Sequence, residues 1–411
     1  MSADRRKRLL AAAIVLLAAI NLWTRAILPG MRSATGFAGY YTASRLALEG
    51  RAGVELYDDA WFGREMERLV APGVRDVLTA TPPSIVLLML PLAWLPFDAV
   101  RLIWIGLEFA LLSIALWLIV RAGGASARPT LAAGLSALVM LSEPVAHHFT
   151  HGQVYVFLLF CHTLAWWALQ RGRHRLAGVA MGVTMGLKFS GWPLWPLMLY
   201  RREWKSLRWG AITVGAIVAL GSAWVGIDAW RVYISKYVPA MLSWPAAPLT
   251  SYQTTTGYFQ HWFRFEPTWN PSPLADAPAL ATFLTLSVAA LALILTARRA
   301  RSTATAFALG VTLTELLNPI AEEYHFVLFV LPLMLMWIGV VRLRKLQLAI
   351  LAIAATLLMA LAILYNTPAL STGWTALLAY PRLYCGWLIW AALLLIERHN
   401  QPADRSPMEQ P

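Results

Sequence analysis

Long apolar segments follow one another along almost the whole chain and alternate with short polar segments rich in Lys and Arg. An apolar run of about 20 residues is the length of helix that crosses the hydrocarbon core of a bilayer. The pattern therefore predicts an all-α polytopic membrane protein with about twelve spans, within a range of ten to thirteen. The predicted spans are 9–28, 98–120, 130–145, 154–169, 176–187, 192–200, 210–225, 279–296, 303–317, 326–341, 346–364 and 377–396.

Two long segments, 29–96 and 226–278, interrupt this alternation. In the first, residues 40–50 and 60–70 have the pattern of short surface helices. Residues 84–95 are apolar, but the stretch contains Pro91 and is too short to span, so we expect a helix in the outer interface. The whole chain, 1–411, is interpreted as one integral membrane domain that ends in a polar and disordered tail, 397–411.

Composition agrees with a membrane protein and assigns an orientation. Hydrophobic residues make up 59% of the chain and charged residues 13%, with a mean hydropathy of +0.58. Most of the basic residues behind the net charge of +13 lie in short segments on one side, as cytoplasmic segments do. This pattern predicts a plasma-membrane protein with both termini in the cytoplasm and both long loops outside. It also disfavours nucleic acid as the reason for the positive charge.

The predicted topology limits the chemistry. The cytoplasmic loops are too short to fold a nucleotide-binding domain, and the sequence has no Walker or dinucleotide motif. Polar, aromatic and ionisable residues gather instead on the opposite face, where charge near a membrane indicates function. An enzyme there could use a polyprenyl-phosphate sugar and a lipid-linked or glycan acceptor. It would need a carboxylate base for the acceptor hydroxyl and cationic groups for the departing phosphate.

Each of these roles has candidates. Asp58, Asp59 and Asp76 are candidate bases, although Asp58 and Asp59 could instead cap the helix at 60–70. Lys188 ends a span and either contacts the donor phosphate or snorkels to the interface. Further phosphate contacts are expected from Arg264 and His325. Candidate substrate contacts are Gln153, His151, Glu322, Glu323, Tyr252, Gln253, His261 and Trp262.

Two of these groups also have other interpretations. The aromatic segment around His261 and Trp262 could be an amphipathic interfacial helix. His147 and His151 are spaced to share a helix face, but the adjacent Gly152 breaks a regular helix. We therefore expect neither a metal nor another cofactor. Cys161 and Cys385 both lie in apolar spans, which disfavours a disulfide framework or a zinc site.

Five motifs in order resemble glycosyltransferase family 87, the polyprenol-phosphate-mannose-dependent α-mannosyltransferase group of the GT-C superfamily. They are GFAGYYTASRLALEG followed by LYD, TPPSIVLLMLPLAWLP, HGQVYVFLL, RHRLAGVAMGVTMGLKFSGWPL and LLNPIAEEYHFVLFVLPLM, spread over about Gly36 to Met336. The resemblance implies a GT-C fold, an inverting transfer, a lipid-phosphate donor and no nucleotide.

The sequence departs from the family pattern at two positions. The pattern usually has an Asp, the usual candidate base, directly before Phe37, where this chain has Gly36. Of the paired His in the late motif, only His325 matches. A non-catalytic relative is therefore one alternative. Another is a secondary transporter or lipid flippase, in which Glu108 and Glu315 would carry protons.

Overall fold

The computed structural model describes residues 3–33, 35–78, 80–125, 128–243 and 248–399, and most of these are helical. Apart from a single bridge between Glu266 and Asn270, they contain no β-structure. The helices in chain order are α1 (Ala3–Leu22), α2 (Leu28–Gly30), α3 (Phe37–Leu48), α4 (Asp59–Leu69), α5 (Val86–Met89), α6 (Phe97–Ala122), α7 (Pro129–Leu141), α8 (Glu143–His151), α9 (Tyr155–Gln170), α10 (His174–Lys188), α11 (Leu194–Tyr200), α12 (Trp204–Val225), α13 (Ile227–Val232), α14 (Val238–Leu242), α15 (Thr255–Phe263), α16 (Pro278–Arg299), α17 (Thr303–Leu316), α18 (Val330–Leu343), α19 (Leu346–Ala360) and α20 (Pro381–His399).

The chain is a multi-pass membrane protein. Among the described residues, five helical segments are long and apolar enough to cross a bilayer, and up to seven if two bent pairs each count as one span. The five are Asp4–Gly30, Phe97–Ala122, Trp204–Val225, Pro278–Arg299 and Glu323–Leu343. The predicted count of about twelve is not supported, because several predicted spans are shorter helices. For example, the 14 residues of α17 extend about 21 Å, against a hydrocarbon core of about 30 Å.

The span predicted at 130–145 and the turn predicted after it are one bent helical pair. Helix α7 ends at Leu141, and α8 leaves it at an angle of 52°. Ser142 between them has extended backbone, and Pro144 lies in the first turn of α8. The His-rich segment is therefore helical up to His151, where Gly152 ends it with a φ of 63°.

The first long loop contains the two predicted short helices, α3 and α4. Helix α4 lies at the surface, as expected for its alternating charged and apolar residues. Helix α3 does not: nearly all its residues are buried, because α5, α4 and α6 pack around it. The apolar stretch 84–95 forms a short 3₁₀ turn and α5 rather than one helix.

Helices differ strongly in how far the protein itself covers them. The apolar window of Glu323–Leu343 is 67% buried, whereas those of α12 and α16 are each 17% buried. The segment Glu323–Leu343 is therefore central, and α12 and α16 lie at the periphery with apolar side chains facing outward. Most of the predicted tail, 400–411, lies outside the described residues. Its first residues, up to His399, belong to α20.

Candidate active site

A cavity of about 630 Å³ lies where the first long loop, the α8–α9 junction, the end of α10 and the segment after α17 meet. These segments are distant in sequence, and each contributes polar side chains to the cavity wall. Four of the predicted site residues with ionisable side chains line it: Asp76, Lys188, Glu322 and His325. Gln153 and Tyr252, two predicted substrate contacts, line it as well.

Asp76 is half-buried in the extended segment before the Pro82-Pro83 corner. Its Oδ1 accepts a hydrogen bond from the Val77 N–H at 2.8 Å, and the Gly36 N–H also donates to its carboxylate. Burial raises the pKa of Asp76 above its ordinary value, and the Glu322 charge raises it further. The two backbone hydrogen bonds and the Lys188 ammonium partly offset this increase in pKa. A carboxylate with a raised pKa in a cavity has the properties of a general base.

Gly36 is the centre of a tight turn against the cavity. Its φ of 76° and ψ of −56°, with a 2.9 Å hydrogen bond from the Phe37 N–H to the Thr35 oxygen, define a classic γ-turn. A Cβ at this position would lie 2.6 Å from both Gln153 Nε2 and the His151 carbonyl oxygen. The position therefore requires glycine, and the turn aims the Gly36 N–H at Asp76.

Lys188 begins a chain of hydrogen bonds along the cavity wall. Its Nζ donates to the Tyr40 hydroxyl and to Thr81 Oγ1, each at 3.3 Å. The Tyr40 hydroxyl in turn donates to Gln153 Oε1 at 2.7 Å. An ammonium has three N–H groups, so one of them is left for an anion in the cavity. Sequence analysis missed Tyr40, although it lies in the GFAGYY motif.

His325 is oriented by Glu322 through the backbone. The Glu322 N–H donates to His325 Nδ1 at 3.1 Å, so we assign the ring proton to Nε2. The imidazole packs against Tyr155 and Tyr324, with ring centroids 4.2 and 4.7 Å away. This arrangement leaves the Nε2–H as a donor at the cavity wall. The two tyrosines also line the cavity and were missed, because neither stands out in a chain rich in aromatics.

More carboxyl groups than cationic side chains line the cavity. The carboxyls of Asp76, Glu315 and Glu322 line it together with the Lys188 ammonium. Glu315 Oε2 accepts a hydrogen bond from Asn318 Nδ2 at 3.0 Å. Nevertheless, no three His, Cys, Asp or Glu side chains in the described part of the chain are grouped to hold a metal ion. Glu108, the other carboxylate within a span, is buried away from the cavity, 3.2 Å from His148 Nε2.

The other two candidate bases do not line the cavity. Asp58 is the N-cap of α4, and its Oδ1 accepts from the Ala60 and Trp61 N–H groups at 3.0 Å. Asp59 lies in the exposed first turn of the same helix. Asp58 therefore caps α4, which was the alternative to a catalytic role in the sequence analysis.

Arg264 and His151 also lie outside the cavity wall. Arg264 ends α15, where its Nη2 donates to the Ser243 carbonyl oxygen at 3.2 Å. The His151 Nδ1–H donates a hydrogen bond to the His147 carbonyl oxygen one helical turn earlier. The backbone of His151 nevertheless supports the site, because its carbonyl oxygen is packed against Gly36.

Glu323 and Gln253 hold the segment after α17 in place rather than lining the cavity. Glu323 Oε1 accepts from Arg382 Nε at 2.6 Å, and its Oε2 accepts from the Tyr365 hydroxyl at 2.6 Å. Gln253 Oε1 accepts from the Arg382 N–H, and its own backbone N–H donates to the Ala321 oxygen. Glu323 and Arg382 are both buried. This network connects the second long loop and the segment after α17 to the start of α20.

His261 and Trp262 line a separate, smaller cleft at the far end of α15. The predicted substrate contacts of the second loop are thus divided between two sites, with Tyr252 at the large cavity and these two elsewhere.

Comparison with known proteins shows the family of the chain. The model of glycosyltransferase family 87 matches residues 81–319, which include Lys188 and Glu315 but neither Asp76 nor Glu322. An Alpha-(1->3)-arabinofuranosyltransferase of Corynebacterium glutamicum is 24% identical over 204 residues, 49% of this chain and 45% of the relative. The chain thus spans less than half the length of that relative, and no solved structure matches it. Because the family model covers more than half of the sequence, the chain belongs to glycosyltransferase family 87.

Proposed function

We propose that this membrane glycosyltransferase moves a sugar from a polyprenyl-phosphate donor to a glycan or lipid-linked acceptor on the extracytoplasmic face, with inversion. The observation that carries the proposal is the meeting of Asp76 and Lys188 at one cavity. The first supplies a base, and the second supplies a cation for a leaving phosphate. The resemblance favours mannose as the sugar, and the name of the relative offers arabinofuranose as the other candidate.

The cavity wall suits a donor that is both ionic and apolar. Besides the polar residues, apolar side chains from the segment 233–241 line the cavity, among them Ile234, Val238 and Met241. Ile234 is 58% exposed, so this wall continues to the outside of the protein. A phosphate near Lys188 could therefore extend an isoprenoid chain along this wall. The peripheral position of such a wall supports entry of the donor from the bilayer.

The proposed reaction is a single displacement. Asp76 accepts the proton of the acceptor hydroxyl while the hydroxyl oxygen forms a bond to the anomeric carbon of the sugar. The bond from that carbon to the phosphate oxygen breaks, and its electron pair leaves with the phosphate. The third N–H of Lys188 and the Nε2–H of His325 then stabilise the growing negative charge. Tyr40 and Gln153 hold the ammonium in place.

The raised pKa of Asp76 fits this role, because a stronger base takes up the proton more readily at a given pH. The N–H of Gly36 still donates to the carboxylate and fixes its direction. Asp76 lies against the turn at Gly36 and would thereby take the role of the Asp that the family pattern usually has at that position. We do not propose a catalytic role for Asp58 or Asp59.

The test is transfer by the purified chain in nanodiscs, with a panel of polyprenyl-phosphate mannose and arabinofuranose donors. Asp76→Asn keeps the shape of the side chain and should lower kcat by about 100-fold or more. Asp59→Asn is the matched control in the same loop, and its kcat should stay within about twofold of the wild type. Full activity of Asp76→Asn would overturn the base assignment. Absence of transfer from every lipid-phosphate donor would favour the non-catalytic alternative.

A further inference from the structure

A second cleft, of about 210 Å³, lies between the last turn of α15, the segment 272–274 and the 3₁₀ helix Gly373–Ala379. Trp262 and Trp374 form its aromatic part, with ring centroids 5.8 Å apart and planes at 49°. Trp374 is 73% exposed, so one face of the pair is open to a ligand.

Trp262 offers a hydrogen-bond donor that the described protein does not use. Its side chain is 8% exposed, and its Nε1–H has no partner among the described residues. A buried indole N–H ordinarily finds an acceptor. The Nε1 atom itself is covered by protein, so a ligand hydroxyl would reach it only after the ring or its neighbours shift.

The cleft is electrically neutral. No Lys, Arg, Asp or Glu lines it among the described residues. His261 is engaged at both nitrogens, by the Tyr380 hydroxyl and the Ser371 carbonyl oxygen, each at 2.7 Å. Burial also lowers the pKa of His261, which keeps the imidazole uncharged. A phosphate or an anionic lipid headgroup would therefore find no cation here, whereas a neutral sugar ring would find an aromatic surface.

The position of the cleft relates it to the large cavity. Tyr252, just before α15, lines the cavity, and Trp262, in the last turn of α15, lines the cleft. The nine residues of α15 extend about 13 Å. A linear oligosaccharide of several sugars is therefore long enough to reach from one site to the other.

We propose that the cleft of Trp262 and Trp374 is a distal subsite for a neutral acceptor glycan. The proposal rests on the proposed function, because it assigns the acceptor chain of that reaction to a second binding position. Such a subsite would favour acceptors that are already several sugars long.

The binding test uses the full chain in nanodiscs, with mannose and arabinofuranose as monosaccharides and as linear hexasaccharides. At least one of the two hexasaccharides should bind about tenfold more tightly than the corresponding monosaccharide, as measured by calorimetry. Trp374→Ala should remove this gain, and Trp374→Phe should restore part of it. Trp269→Ala is the control, since Trp269 is an exposed tryptophan, 47% exposed, that does not line the cleft.

The same titration in the Asp76→Asn background separates the two proposals, because binding at the cleft does not require transfer. Length-dependent binding without any transfer by the wild type would leave the subsite standing and overturn the proposed function. Transfer without length-dependent binding would support the proposed function and overturn the subsite. Equal losses in Trp374→Ala and Trp269→Ala would overturn the subsite. The subsite would also be overturned if Trp374→Ala bound glycans as the wild type does but associated more weakly with the bilayer. Trp374 would then be a membrane anchor.

Discussion

Replacement of Gly36 by alanine tests whether the γ-turn beside Asp76 organises the site. The turn has a φ of 76°, and an added Cβ would lie 2.6 Å from the His151 carbonyl oxygen. It would also lie 2.6 Å from Gln153 Nε2, the amide whose oxygen accepts from Tyr40. The backbone oxygen cannot rotate away, so the turn or α8 has to move.

Two costs add at this position. A non-glycine residue in such a backbone conformation costs about 1–3 kcal/mol. An overpacked methyl group costs about 1–3 kcal/mol more. Gly73 is the matched control, because its φ is 78° and an added Cβ there would meet nothing within 4 Å. Gly73→Ala should thus lose only the free energy of the strained backbone conformation. Gly36→Ala should lose that and, in addition, the free energy of the overpacked methyl group.

The assay is thermal unfolding of both variants in the same nanodiscs, together with transfer activity. Gly36→Ala should show the lower midpoint and, because Asp76 loses its oriented N–H donor, a kcat reduced by about tenfold or more. Gly73→Ala should keep its kcat. Equal midpoints and equal kcat values in the two variants would refute the claim that the space around Gly36 matters.

Three further predictions concern other charged residues. Asp58→Ala should lower stability by about 1 kcal/mol through loss of the α4 cap, with kcat unchanged, as checked by thermal unfolding and transfer. Glu322→Gln should move the acidic limb of the pH–activity profile to lower pH, because the Glu322 charge raises the pKa of Asp76, whose deprotonated form is active. Arg382→Met should destabilise the protein by about 3–5 kcal/mol in thermal unfolding, because it leaves the buried Glu323 carboxylate unpaired.

Each of these predictions has a result that contradicts it. Loss of kcat in Asp58→Ala without loss of stability would return Asp58 to the list of bases. An acidic limb that stays in place or moves to higher pH in Glu322→Gln would show that Asp76 is not the titrating base. An Arg382→Met protein no less stable than the double variant Arg382→Met and Glu323→Gln would show that the unpaired charge is not the cause.

Most of the helices could be predicted from the sequence, because an apolar run with basic ends is a local pattern. The helices α9, α10 and α16 lie within a few residues of their predicted spans. The number of spans could not be predicted in the same way. The length of each helix decides whether it can span the bilayer. Whether other helices cover an apolar helix depends on tertiary packing, as the buried α3 shows.

Part of the site could also be predicted. Lys188 and His325 stand out because a charged or polar side chain at a span end is costly without a role. The choice among Asp58, Asp59 and Asp76 could not be made, since all three lie in one polar loop. The partners of Glu323 and His261 were equally hidden, because Arg382 and Tyr380 are far away in sequence.

The sequence by itself determined that the chain is a helical protein with several apolar, membrane-spanning segments. Local hydropathy and the distribution of charge are sufficient for that. Only the tertiary structure decided which polar residues share a cavity. It brings Asp76, Lys188 and His325 to one wall, makes Asp58 a helix cap and separates Trp262 from Tyr252. The physical reason is that each placement depends on contacts between segments far apart in sequence, such as Gly36 against Gln153.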